Sequence, residues 1–97
     1  MRLMLKFTIP VDRGNEAAKD GTRGATINAL IEKTSPEAAY FSLENGERAG
    51  MIVFEADDQA FLPQLNEELF SALDAAVQIT PVLNLQDLER GLTAAST

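Results

Sequence analysis

Asn45-Gly46 separates two β-prone runs, "EAAYFSLE" and "ERAGMIVFEA". A two-residue hairpin loop needs positive φ at both central positions, and Asn followed by Gly meets that need with the least strain. The dipeptide therefore predicts a hairpin and sets its register: Glu44 opposite Glu47, Ser42 opposite Ala49, Tyr40 opposite Met51. Alternation then assigns every side chain to a face. Ala39, Phe41, Leu43, Ile52 and Phe54 fall on one side, and Tyr40, Ser42, Met51, Val53 and Glu55 on the other.

The flanking segments extend this sheet. "RLMLKFTI", residues 2–9, alternates with period two and presents Leu3, Leu5, Phe7 and Ile9 on one face. Pro10 and Gly14 end the run, and a helical stretch follows to about Thr34, where Ser35-Pro36 stops it. Asp57 and Asp58 offer an N-cap for "QAFLPQLNEELFSAL", whose Phe61 or Leu62, Leu65, Leu69 and Leu73 keep helical spacing. Pro63 fits there within the first turn or at a restart. "AVQITPVL" reads as a last strand, with Pro81 tolerable on a sheet edge. "NLQDLERGL" predicts a short cap-and-turn element before a mobile polar tail, "TAAST". The order β-α-β-β-α-β predicts an α+β, ferredoxin-like sandwich with a four-stranded antiparallel sheet. Residues 1–92 form one domain in this reading, and 93–97 the tail.

What the chain lacks narrows its chemistry. It contains no cysteine and no histidine, which removes disulfides, thiolate nucleophiles, the commonest transition-metal ligand and the usual proton shuttle near neutral pH. No metal and no cofactor is implied. Asp57-Asp58 reads as a helix cap, and Glu44 and Glu47 as exposed charges at a hairpin tip. A net charge of −7 with eight scattered basic residues argues against nucleic acid and anionic membranes as partners. No apolar run approaches the ~20 residues of a bilayer span. The opening "MRLMLKFTIPVDRG" is charged too early for a secretory signal, so a cytoplasmic location is expected.

The sheet face away from the helices is mixed. It collects Met4, Lys6 and Thr8 from the first strand, Tyr40, Ser42, Met51 and Val53 from the hairpin, and Gln78 and Thr80 from the last. A solvated face would carry more charge and a core face less polarity, so the mixture predicts a homodimer closed sheet to sheet. Lys6, Tyr40, Ser42 and Gln78 would then line a lumen between the copies, with Glu55 a candidate partner for Lys6.

"GNEAAKDGTRGAT", residues 14–26, is the second candidate site. On one continuous helix over 15–33, Ala17, Gly24, Ile27, Leu30 and Ile31 form an apolar stripe, but Asp20 and Arg23 fall inside it. Unpaired buried charges are prohibitive. Either "DGTRG" loops out and a helix restarts near Ala25, or the helix continues and Asp20 pairs with Arg23 over a crevice. Both versions place Asp20, Gly21, Arg23 and Gly24 beside the core rim, where Arg23 could hold a small carboxylate.

Element order over residues 1 to about 92 resembles the dimeric α/β-barrel superfamily. "GNEAAKDGT", "PEAAYF" and "PVLN" more narrowly resemble a group of small bacterial proteins of that fold that has no assigned activity, so no residue inherits a catalytic role. The resemblance implies sheet-to-sheet pairing of two copies, and the leading expectation is a homodimer that binds a small organic molecule in the crevice beside the first helix or in the lumen. The alternatives it leaves open are a cofactor-independent isomerase or monooxygenase-like enzyme and a pure interaction module. The wider superfamily also includes heme-handling members, from which this chain departs in having neither His nor Trp.

Overall fold

A computed structural model describes residues 1–96. Strand β1 (Arg2–Ile9) leads through helices α1 (Val11–Asp20) and α2 (Thr22–Thr34) into β2 (Ala38–Glu44) and β3 (Glu47–Glu55). Helix α3 (Phe61–Leu73), strand β4 (Ala76–Pro81) and helix α4 (Leu85–Ala95) follow. The sheet order is β2-β3-β1-β4 with every pair antiparallel, which is the ferredoxin-like arrangement. Asn45 and Gly46 adopt φ of 51° and 81°, and the hairpin pairs Glu44 with Glu47, Ser42 with Ala49 and Tyr40 with Met51, as their sequence predicts.

Burial follows the alternation of β1. Leu3, Leu5, Phe7 and Ile9 are buried against Ile52, Phe54, Leu65, Leu69 and Leu73, while Val77 and Ile79 pack at the margin. Helix α3 supplies its leucines at four-residue intervals, and Pro63 is its third residue, where a missing N–H breaks no helical bond. Asp58 accepts from the Ala60 N–H at 2.9 Å, a turn just ahead of the helix.

Edge strand β2 departs from expectation. Ala39, Phe41 and Leu43, assigned by register to the core face, are exposed, Phe41 by 56% and Leu43 by 75%. The helix layer centres on β1 and its near neighbours, so β2 lies beyond its cover.

The glycine-rich stretch resolves differently from both expected forms. Helix α1 begins at Val11, directly after Pro10, and ends at Asp20; Gly21 takes φ 83°, and α2 starts at Thr22. One left-handed residue breaks the helix, so no five-residue loop forms and no continuous helix buries the charges. Asp20 is exposed and Arg23 only half-buried.

The segment after β4 is also more ordered than a short turn. Asn84 accepts from the Asp87 N–H at 2.8 Å and donates its own N–H to Asp87 at 3.3 Å, a reciprocal cap that starts an eleven-residue helix. The helix continues through the first residues of the expected tail, as far as Ala95; Thr97 lies outside the described residues. No residue of α4 is buried. Overall extents are 56 × 28 × 17 Å with a radius of gyration of 15.4 Å; a rounded chain of this length would give about 13 Å.

Candidate functional site

A crevice of about 350 Å³ opens between α2 and the β2–β3 side of the sheet. Its floor is apolar, made by Phe7, Ile9, Ile27 and Phe41, and Arg23 and Arg48 border it; Ser42 and Ala49 complete the lining. Arg23 arrives from the first turn of α2, set there by the Gly21 bend. Arg48 arrives from the start of β3, on the helix-side parity of Gly50, Ile52 and Phe54.

Two glycines shape this region. A Cβ on Gly14 would lie 2.5 Å from Arg48 Nη1, so the bare glycine of α1 is what admits the guanidinium. Arg48 Nη2 donates to Asn15 Oδ1 at 2.8 Å, which orients the group. A Cβ on Gly50 would lie 2.5 Å from Phe7 Cζ and 3.1 Å from Phe41 Cδ1. The two rings therefore close over a strand glycine paired with both residues, and the floor is aromatic for that reason.

Asp20 does not join the crevice. Hydrogen bonds from Thr22, its hydroxyl first and then its backbone N–H (2.9 Å), hold the Asp20 carboxyl below the usual aspartate range. The residue thus caps the entry to α2 and makes no ion pair with Arg23 among the described residues. Gly21 forms the bend, and Gly24 is exposed with open space about it.

On the open face, register places Tyr40, Met51, Lys6 and Gln78 in one row across all four strands, with Ser42 in the next. Lys6 and Gln78 border a hollow of about 200 Å³ with Glu44 and Glu47, and Lys6, Tyr40 and Ser42 border another of about 280 Å³. Glu55 is not the partner of Lys6. It pairs with the N-terminal amine at 2.6 Å, and Lys6 enters none of the ion pairs of the described residues.

Helix α4 is tethered by charge. Arg2 bonds Glu37 through Nε at 2.5 Å and Asp87 through Nη1, while Arg90 bonds Asp87 at 2.5 Å. The Asn84 N–H, Arg2 and Arg90 all favour the ionised Asp87, and its carboxyl is lowered. The polar side of α4 therefore meets its own domain, and Leu85, Leu88 and Leu92 stand 69%, 44% and 58% exposed. That is the reverse of an ordinary amphipathic helix.

Among the described residues no three acidic side chains gather closely enough to hold a metal ion, and no helix is long and apolar enough to cross a membrane. Sequence reasoning missed Arg48 and Gly14. The hairpin register already put Arg48 on the helix-side face, which was the available signal; Gly14 showed itself only through packing.

No protein-family model matches the chain. No curated protein matches it either. Among solved structures, the de novo designed protein Ferredog-Diesel is similar at 13% sequence identity over 82% of each chain, with a TM-score of 0.43.

Proposed function

We propose that the chain is a homodimeric binding protein that takes a small organic molecule into the crevice between α2 and the sheet. The observation that carries this reading is the crevice itself: about 350 Å³, floored by Phe7, Ile9, Ile27 and Phe41, with Arg23 and Arg48 in its lining. Ligand sites of small molecules have this make-up, an apolar body of about 300–1,000 Å³ with a few polar groups to orient the occupant.

Dimerisation is supported by surfaces that one copy leaves uncovered. Four strands of about seven residues offer a flat face of about 19 by 23 Å, or about 450 Å². A stable interface needs about 800 Å² from each partner. The leucines of α4 and the bare apolar strand β2, one edge of the sheet, supply further area. A two-fold pair can cover both sets at once, because each contact then occurs twice. Native mass spectrometry of protein purified without denaturation tests both parts. The expected species is twice the 10.5 kDa chain, with a low-mass organic adduct released on activation. A bare 10.5 kDa monomer at high concentration overturns the dimer, and failure of a diverse fragment set to perturb crevice resonances overturns the binding role.

A cofactor-independent isomerase or monooxygenase-like enzyme is the second reading. The unpaired, half-buried Lys6 beside Gln78 on the open face favours it. Turnover lost in Lys6→Ala with the fold intact would distinguish it.

A further inference from the structure

We infer that the crevice is built for an organic monoanion, a carboxylate head on a flat apolar body. This rests on the crevice being the ligand site. The first support is a census of charge. The chain has fifteen acidic residues and eight basic ones. Among the described residues Arg2, Arg13, Lys33 and Arg90 pair with carboxylates, and Lys6, Lys19, Arg23 and Arg48 do not. Two of those four line one crevice, even though acids outnumber bases almost two to one. Both bring a positive charge to the lining of one crevice, and an anion held there would gain from each.

The chemistry of the groups narrows the anion. A guanidinium presents five N–H donors in a planar fork that matches a carboxylate in two parallel hydrogen bonds. Asn15 accepts from Nη2 of Arg48 and fixes its orientation, and no other hydrogen bond of the Arg48 side chain occurs among the described residues. Phe7 and Phe41, which line the same crevice, would gain nothing from a bare inorganic ion, yet they suit a ring or short chain. The net charge of −7 disfavours polyanions such as nucleotides, whose approach the whole field opposes. What fits is one negative charge, with the apolar part inward.

Gly14 gives a positioning test that removes no charge. Gly14→Ala places a methyl where Arg48 Nη1 lies and displaces the end of a flexible side chain, with Ile9 Cγ2 at 3.3 Å giving by a few tenths of an ångström, while alanine favours helix α1. The experiment is an NMR titration of the full chain with phenylacetate and its neutral isostere phenylacetamide, followed at residues lining the crevice. Phenylacetate is expected to shift these resonances and to bind at least about tenfold more tightly than phenylacetamide. Arg23→Ala and Arg48→Ala should each weaken it by a similar factor, and Gly14→Ala should weaken it in a protein that melts no earlier than the parent.

Equal binding of phenylacetate and phenylacetamide in the crevice would overturn the anion class while leaving the crevice a ligand site. Inorganic sulfate binding as tightly as phenylacetate would overturn the apolar body. If benzoate, phenylacetate and hexanoate all leave the crevice unmoved, the anion class fails; if neutral and cationic fragments leave it unmoved as well, the site itself fails.

Discussion

At Gly50 the packing leaves no space for a methyl group, because Phe7 and Phe41 both approach within 3.1 Å of where it would sit. Gly50→Ala should destabilise the fold by about 1–3 kcal/mol, the usual cost of overpacking a filled core, and a shift of the urea midpoint at constant slope would show it. Asp20 makes a claim about pH instead. Its carboxyl is lowered by Thr22, so the folded chain holds that proton less tightly than an unfolded one, whose value lies at about 3.9. The stabilisation is complete above the unfolded value and disappears as pH falls through the lower folded value. Amide exchange at Thr22 should accelerate through that acid window more than exchange in α3, and the acid step should vanish in Asp20→Asn. These residues also mark where reading a sequence stops. Asp20 and Arg23 were recognisable as charges that could not both be buried. That a single left-handed Gly21 would separate them, and turn Asp20 into a cap, depended on α1 starting four residues early at Val11. Arg48 was legible by parity alone; its berth against Gly14 needed two elements brought together in space.

Among elements, the hairpin and β1 were the most legible, because turn chemistry and a period of two act within a few residues. Helix α4 was less so. Asn84 and Asp87 carry the spacing of a reciprocal cap and Leu85, Leu88 and Leu92 keep helical intervals, but Gly91 and a polar sequel suggest a shorter element. An isolated helix of eleven residues is marginal in water, and this one is held by its cap and by Arg2. Since no α4 residue is buried, a chain ended at Leu83 should unfold as cooperatively as the parent and within about 1 kcal/mol of it, the scale of the partly exposed ion pair it loses. If the proposed dimer uses α4, self-association of the truncated chain should fall at least tenfold, measured by sedimentation over a concentration series. A truncated chain that dimerises as tightly as the full one would show that α4 takes no part in assembly.

For the whole molecule, face assignment follows from hydrophobic alternation plus one turn and the fold from element order, whereas coverage follows from neither. Whether β2 lies under the helices is decided by how far α1 and α2 reach across a sheet, a distance that no local pattern encodes. Phe41 and Leu43 have the right parity for a core and remain outside it. The bare edge carries a practical consequence. From Ala38 to Leu43 the chain is uncharged, already extended, and hydrogen-bonded along one side only. Such a segment is a seed for stacking with its own kind into fibrils unless something occupies its free side. The storage life of the purified protein should then be governed by this one strand, and a single lysine placed at Phe41 should lengthen it, with the lag before thioflavin fluorescence as the gauge.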